Sequence, residues 1–475
     1  MSEMAVSVIR EKPIQMCAED AGVLFPSLAA GLWYAYGHVA SGGMYHLPGI
    51  GLTLSWVGLT VAFLIANRKR IRPSREGVLL LGLSFLLALC AGLYSVDVLR
   101  LMNLPLILLS LAGGLGCLTG RWPVSPLTAR GMKTILSAMV PDLFRGWGRP
   151  FRLFNGRKYH RQLADGLVGL IISIPVLGVI LLLLLSADRA FSDFLTRRAD
   201  EILRFDGTFF LRLFLGLAVG LGCFSVLLAA QRTEKPGKVS AVTVSAAGVM
   251  PVLICLCALY ALFIAVRLRT LGGAGDGSLA EYARSGFFQL TAAAMITLTV
   301  ITLAVRWTEH RAVRTLSGLL CLLTEGLLAL AAASMIRYIR AYGLSLLRVV
   351  TVWGILMIFM SLLAVFLRCL MPGFRSWKKL AILALVSWTV LNLSCPVRWI
   401  AGFNVDRFNR FPEEMTLDHE YLVKLSPAVL PAVGNISDPA LRTEALAYAE
   451  EYLEEAKPSV YDWSADWLLA DTGNP

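Results

Sequence analysis

The chain has 475 residues, of which 57% are hydrophobic and 16% are charged, and its mean hydropathy is +0.67. Soluble domains carry about 25% charged residues, so this composition excludes an ordinary soluble enzyme, a disordered chain and a collagen-like repeat. The formal net charge is +12, but the basic residues stand mostly in short loops beside apolar blocks. That arrangement is typical of cytoplasmic loops of membrane proteins and predicts no nucleic-acid partner.

The apolar residues form a series of long blocks, several of them without a charge over about 20 positions. Each block is long enough to cross a bilayer core of about 30 Å as a helix. The pattern predicts an all-α, polytopic integral membrane bundle of about eleven transmembrane helices, with ten as the alternative. The predicted spans are 21–39, 49–67, 77–95, 101–119, 165–186, 208–230, 245–266, 286–306, 316–336, 349–370 and 377–395.

The distribution of lysine and arginine predicts the orientation of the chain. If the basic segment 67–76 is cytoplasmic, the N-terminus and the loops on its side of the membrane carry 26 basic residues, and the loops on the opposite side carry 11. Cytoplasmic loops are the ones enriched in Lys and Arg. We therefore expect a multi-pass protein of the cell membrane with a cytoplasmic N-terminus and, after eleven spans, an extracytoplasmic C-terminus.

Four regions follow from this reading: membrane helices in 1–119, a basic segment in 120–164, a bundle of about seven spans in 165–395, and an acidic tail in 396–475. The segment 120–164 combines nine basic residues with aromatic ones. It predicts an amphipathic helix in the headgroup layer bound to anionic lipid, and a docking site for a cytoplasmic partner is the alternative.

The tail has six basic and 14 acidic residues, and we expect a small polar helical unit there. Ser437 is the predicted N-cap of a helix with Pro439 in its first turn. The apolar stripe of that helix is predicted to contain Leu441, Ala445, Tyr448, Tyr452 and Ala456.

Several strings between about residues 180 and 435 are unusual enough to be compared with known families. They are LLLLSADRAFSDF at 182–194, AEYARSGFFQL at 280–290, IRAYGLSLLR at 339–348, NVDRFNR at 404–410 and DHEYLVKLSPAVLPAV at 418–433. With these strings the chain resembles a family of polytopic bacterial membrane proteins of unknown function, domain of unknown function 4173, and its close sibling family. The resemblance implies a helical membrane bundle followed by a short polar tail, and it brings no assigned activity and no catalytic residues.

Glu325 is a candidate functional residue because it stands near the middle of the predicted span 316–336. Ionisable groups at membrane depth are costly and are often functional. A carboxyl at that position could transfer a proton or bind a cation, and a paired structural glutamate is the alternative. The neighbouring Thr324 is expected to hydrogen-bond within its own helix.

A second set of candidates lies at the ends of spans on the predicted outer side, and we call it the outer rim. Carboxylates, arginines and tyrosines that converge there could form a binding pocket, or a ring of ion pairs that fixes the helix ends. The outer-rim candidates are Asp188, Arg189, Glu281, Tyr282, Arg284, Arg340, Tyr342, Asn404, Asp406 and Asn409.

Three hypotheses about function follow from these residues. The first is a non-enzymatic envelope protein for sensing or assembly, which binds an envelope protein partner through the outer rim and the tail, and in which the tail can be deleted without unfolding the bundle. The second is a secondary transporter with Glu325 as the coupling group. The third is a membrane-embedded enzyme for lipid-linked substrates, with Asp188, Glu281 or Asp406 as acid or base.

Nucleotide-binding, zinc-protease and serine-hydrolase motifs are absent from the sequence. The nine cysteines include no C-x-x-C pair, and we interpret them as packing residues. No cofactor and no metal site are therefore predicted. Gly216 and Gly220 form a small-x-x-x-small pair that could allow two helices to approach closely.

Overall fold

A computed structural model of the chain describes residues 18–38, 48–120, 125–128, 131, 208–231, 245–271, 279–308, 310–371, 373–374, 377–413, 416–458 and 462–468. These residues form helices, turns and loops, and no strand is found among them. The predicted span 165–186, the loop that follows it and most of the basic segment 120–164 lie outside the described residues. Binding of 120–164 to anionic lipid therefore stays a prediction.

Ten long helices coincide with ten of the eleven predicted spans, which confirms the polytopic helical bundle. They are α1 Ala18–His38, α2 Ile50–Ala66, α3 Arg75–Leu93, α4 Asp97–Leu118, α5 Thr208–Gln231, α6 Ala246–Leu271, α7 Leu279–Trp307, α8 Arg311–Tyr342, α9 Leu346–Leu370 and α10 Trp377–Leu393. Four shorter helices follow them: α11 Pro396–Arg410, α12 His419–Leu425, α13 Leu430–Val433 and α14 Pro439–Glu455.

Not every long helix that the structure describes meets the length and composition expected of a membrane span. Among the described residues, six helices are long and apolar enough to cross a membrane, or seven if α10 and α11 count as one span bent by 59°. The six are α3, α4, α6, α7, α8 and α9, while α2 and the apolar part of α5 are shorter. The expected total of eleven is therefore not confirmed.

Side-chain caps explain where several helices begin. Ser74 accepts a hydrogen bond from the Gly77 amide at the start of α3. The N-cap of α14 is Asp438 and not the predicted Ser437. The side chain of Asp438 accepts a hydrogen bond from the Ala440 amide. The backbone amide of Ser437 instead donates to Asn409 Oδ1, so Ser437 belongs to the preceding loop.

Two apolar cores hold the long helices together. The first lies among α1, α2, α4 and α5, where Phe63, Leu115 and Phe224 are buried. The second lies among α6, α7, α8 and α9 and contains Ile301 and Leu320. In addition, α10 packs against α3, and α3 contacts α2 and α4 of the first group.

Three glycines bring α1 and α5 into close contact. A Cβ atom added to Gly31 would lie 2.2 Å from the carbonyl oxygen of Gly216, and one added to Gly220 would lie 2.8 Å from Leu28 Cα. The close approach predicted for Gly216 and Gly220 is confirmed, with Gly31 as the opposing residue.

A third core covers one end of the bundle, and it is formed by the chain that follows α10. The described residues between 396 and 468, which we call the end cap, pack against the ends of α3, α4, α9 and α10. Ile400, Val405 and Val433 of the end cap share this core with Leu99 and Trp388 of the long helices. The tail is helical as expected, and it continues the packing of the bundle.

Candidate functional site

Three connections between long helices meet beneath the end cap, and this is the end where the outer rim was predicted. They are the turn 94–96 between α3 and α4, the turn 343–345 between α8 and α9, and the bend 394–395 between α10 and α11. At the opposite end, the side chains of Lys378 and Glu76 join the starts of α10 and α3. Both α3 and α10 run from that end toward the end cap. The Lys378–Glu76 pair is therefore separated from the end-cap residues by the length of these helices.

A buried carboxylate joins the last described segment of the chain to the bundle. Asp466 Oδ2 accepts hydrogen bonds from the backbone amide of Ser95 at 2.8 Å, from Ser95 Oγ at 2.9 Å and from Ser426 Oγ at 2.5 Å. Its other oxygen accepts from Ser464 Oγ at 2.7 Å. Asp466 therefore connects three parts of the chain that are far apart in sequence, and hydrogen bonds to a charged acceptor are stronger than neutral ones.

The first turn of α4 carries a buried cation next to this carboxylate. Arg100 is 2% exposed and donates to the carbonyl oxygens of Ala91 at 2.8 Å and Tyr94 at 3.2 Å. It also lies 3.6 Å from the carboxylate of Asp97, and the charges of Asp462 and Asp466 act on it. A buried cation with carbonyl and carboxylate partners fixes the α3–α4 turn.

Close backbone contact holds the same segment against α2. The Ile50 amide donates to the carbonyl oxygen of Trp463 at 2.7 Å. A Cβ added to Gly49 would lie 2.2 Å from that oxygen, so the contact requires a residue without a side chain at this position.

Asn404 of the outer rim connects α11 with the α8–α9 turn. Its Nδ2 donates to the Leu344 carbonyl and its Oδ1 accepts from the Leu344 amide, both at 2.8 Å. Arg407 donates to the carbonyl oxygens of Ile339 and Arg340 at the end of α8. The side-chain amide of Asn404 thus satisfies both backbone groups of Leu344, as a neighbouring peptide group would.

Tyr421 of α12 reaches the same turn from the other side. Its hydroxyl oxygen accepts a hydrogen bond from the Leu346 amide at 3.0 Å. Burial raises the pKa of Tyr421 above its ordinary value, although the hydrogen bond from Leu346 opposes the shift. The hydroxyl group therefore stays neutral in the folded protein and serves to satisfy the first turn of α9.

The other described outer-rim residues lie at the same end but on its surface. Arg340 and Tyr342 are exposed, and the Tyr342 ring lies 5.0 Å from that of Tyr338. Asp406 forms an exposed ion pair with Arg410 at 2.8 Å.

Asn409 of α11 forms hydrogen bonds with the loop that precedes α14. Its Nδ2 donates to the Asn435 carbonyl at 2.8 Å, and its Oδ1 accepts from the Ser437 amide at 2.9 Å.

The remaining predicted rim residues cannot be placed in this geometry. Asp188 and Arg189 lie outside the described residues. Glu281, Tyr282 and Arg284 lie in the first turns of α7, where the structure describes the helix and not the side chains. Five of the ten predicted residues thus share one end of the bundle, and two of them, Asn404 and Asn409, hold backbone segments in place.

A buried polar group that sequence reasoning largely missed lies one turn deeper. Asn103 Nδ2 donates to Asn392 Oδ1 at 2.8 Å, and Trp388 Nε1 donates to Asn103 Oδ1 at 2.7 Å. Beside it, Arg100 and Cys395 help to line a cavity with room for a single water molecule. The detectable signal was Asn103 itself, a polar residue inside an otherwise apolar span.

Glu325 lies in the middle of α8, away from the end cap. Its side chain is half-buried, and its Oε1 atom is buried without a hydrogen-bond partner in the described part of the chain. Thr324 Oγ1 donates to the Leu320 carbonyl at 2.6 Å, which confirms the expected bond within the helix. Arg340 is 15 residues further along α8, about 22 Å by helical rise, and cannot reach the carboxyl group.

In the part of the chain that the structure describes, no group of three or more His, Cys, Asp or Glu side chains could hold a metal ion. Cys255 is exposed and Cys257 is buried, so the two point to different sides of α6 as their spacing predicts.

The chain matches the model of a known protein family. The model of the family described as Domain of unknown function (DUF4153) matches residues 52–436. The family resemblance is confirmed, and the matched family carries the number 4153, where the strings suggested 4173 or its sibling. The match begins within α2, so it includes helices far ahead of the strings in 182–433. No curated protein and no solved structure matches the chain.

Proposed function

We propose a non-enzymatic role in partner binding for this chain, which belongs to the DUF4153 family of unknown function. In this proposal the long helices anchor the protein in the cell membrane, and the end cap presents a binding surface on the extracytoplasmic side. The observation that carries the proposal is the attachment of the end cap through Asp466, because a surface held rigid before binding loses little entropy on association.

The outer face of α14 is the surface that fits this role best. Glu444, Glu451 and Glu455 are exposed. Glu451 and Glu455 follow Glu444 by seven and eleven residues, so the three share one face of the helix. No ion pair involves them among the described residues. Ala445 and Ala449 are buried on the opposite face. An acidic face on a fixed helix favours a partner with a basic segment, since complementary charge directs association.

The described carboxylates give the enzyme hypothesis little support. Asp466 is buried and already accepts four hydrogen bonds, and Asp406 is exposed and paired with Arg410. Acid and base groups of an enzyme share a cavity around the reacting atoms. These two do not, and the side chains of Asp188 and Glu281 lie outside the described part.

Photocrosslinking in intact cells tests the partner proposal. A photoreactive amino acid at position 451 should give one adduct of defined mass with a protein that carries a basic segment at the crosslink. Glu444→Lys combined with Glu455→Lys should reduce that adduct at least fivefold through charge repulsion. Glu413→Lys, an exposed charge reversal outside α14, is the matched control and should leave it unchanged. Equal adduct yield in both variants would contradict the proposal.

Transport is the second candidate, favoured by the unpartnered buried oxygen of Glu325. A carboxyl group inside a helix that packs against α6, α7 and α9 could exchange a proton during a transport cycle. In proteoliposomes containing a pH-sensitive dye, Glu325→Gln should abolish protein-dependent proton flux, and Glu325→Asp should retain part of it. A wild-type flux in the glutamine variant would remove this candidate.

A further inference from the structure

An apolar cavity lies among α3, α4, α9 and α10, at the depth of the membrane helices. Its volume is about 220 Å³, below the roughly 300–1,000 Å³ of sites that hold a whole small-molecule ligand, so it has room for part of a larger molecule. Eleven residues line it, and Ser110 is the one among them without an apolar or indole side chain. Ala381 and Ala384 of α10 contribute only methyl groups to its wall.

Two tryptophans close the cavity toward the end cap. The ring centroids of Trp353 and Trp388 are 4.8 Å apart, and both rings line the space. Their polar atoms point to other partners, because Trp353 Nε1 donates to Ser387 Oγ at 3.0 Å and Trp388 Nε1 donates to Asn103 Oδ1 at 2.7 Å. The indoles therefore offer the cavity an apolar surface and no free donor.

Charged groups stand at the other end of the cavity. Lys378 is one helical turn before Ala381, and it contacts Glu76, whose second oxygen accepts from Ser125 Oγ at 2.5 Å. Ser125 directly precedes Pro126, which lines the cavity. Lys379 is exposed beside Lys378, and Arg75 is exposed beside Glu76, so cations outnumber carboxylates at this end.

We propose that this cavity holds one acyl chain of an anionic phospholipid whose phosphate lies beside Lys378 and Lys379. The distance along α10 from Ala381 to Trp388 is about 10 Å, which suits the inner part of a chain lying parallel to the helices. Apolar cavities bind apolar groups in preference to water. The excess of cations over carboxylates among Lys378, Lys379, Arg75 and Glu76 favours a negative headgroup at this end. This lipid site is independent of partner binding at the end cap.

Photolabelling of the full-length protein in nanodiscs tests the proposal. The probe is phosphatidylglycerol with a diazirine in its acyl chain, and the expected adducts fall on peptides that contain Leu106–Ser110 and Ala381–Trp388. Ala384→Phe fills the cavity and should reduce these adducts about tenfold. Ala261→Phe places the same side chain at an exposed position of α6 and is the matched control. The cavity peptides of this variant should be labelled as strongly as those of the wild type.

Competition identifies the headgroup. Unlabelled phosphatidylglycerol should displace the probe at several-fold lower concentration than phosphatidylcholine, and Lys379→Gln should reduce that difference. Equal competition by the two lipids, full labelling of Ala384→Phe, or adducts confined to lipid-facing residues such as Leu383 would each overturn the proposal. If Ala384→Phe does not remain monodisperse, Leu109→Trp fills the cavity from α4 and gives the same readout.

Discussion

Asp466 shows how much of the end cap depends on a single side chain. Its carboxylate is the common acceptor for Ser95, Ser426 and Ser464, and it is 5% exposed. Asp466→Ala leaves these donors buried without an acceptor, which we expect to cost roughly 2–4 kcal/mol of folding free energy. The measurement is the midpoint of unfolding of the purified protein in detergent.

Asp406→Ala is the matched control for that substitution. It removes a carboxylate of the same end cap, but the group is exposed and its ion pair with Arg410 contributes at most about 0.5 kcal/mol. An Asp466→Ala variant as stable as Asp406→Ala would show that the C-terminal segment is not held by this carboxylate.

The sequence predicted some of these residues and could not predict others. Asn404 and Asn409 were expected at the outer rim, since they follow the last span closely. Asp466 was not, because its partner Ser95 is 371 residues away and an acidic tail contains many equivalent carboxylates. Local patterns identify which residues are polar, whereas the pairing of distant segments is decided by packing.

At the level of elements, the contact between α1 and α5 depends on the absence of side chains. A Cβ at Gly220 would lie 2.8 Å from Leu28 Cα and 2.9 Å from the Ser27 carbonyl oxygen. Backbone atoms cannot move aside as a flexible side chain can, so Gly220→Ala is expected to cost about 1–3 kcal/mol. Thermal unfolding of the purified variant measures this.

Gly222 provides the comparison on the same helix. A Cβ there meets no atom within 4 Å, and alanine has the higher helix propensity, so Gly222→Ala should be neutral or stabilising by up to about 1 kcal/mol. If both variants melt at the same temperature, the two helices are further apart than the structure places them.

Helix positions were predicted better than helix roles. Ten spans were found within several residues because an apolar block of membrane length is a strong signal. By contrast, α11 carries buried residues at helical spacing, Val397, Ile400, Ala401 and Val405, but the sequence does not say which surface they cover. The structure shows that they cover the end of the bundle, so the predicted boundary at 395 is a bend inside a packed unit.

At the level of the whole molecule, this packing changes the expected result of deleting the tail. The end cap covers Leu99, Val349 and Trp388 at the ends of the long helices. Removing residues 396–475 exposes this apolar surface, so we expect loss of monodisperse protein in size-exclusion chromatography. The combined Glu444→Lys and Glu455→Lys variant changes only exposed groups and should elute as the wild type does. A truncated protein that stays monodisperse would separate the end cap from the fold of the bundle.

Orientation in the membrane gives the last prediction. Lys69, in a short turn before α3, and Glu451, on α14, lie at opposite ends of the molecule, because α3 runs from the basic end to the turn that Asp466 holds. Basic loops stay in the cytoplasm. A membrane-impermeant maleimide should therefore label Glu451→Cys in intact cells, whereas Lys69→Cys should react only after permeabilisation, each measured against the unmodified chain. Labelling of both from outside would contradict the fold, and the reverse pattern would place the end cap in the cytoplasm and remove the extracytoplasmic partner from the proposed function.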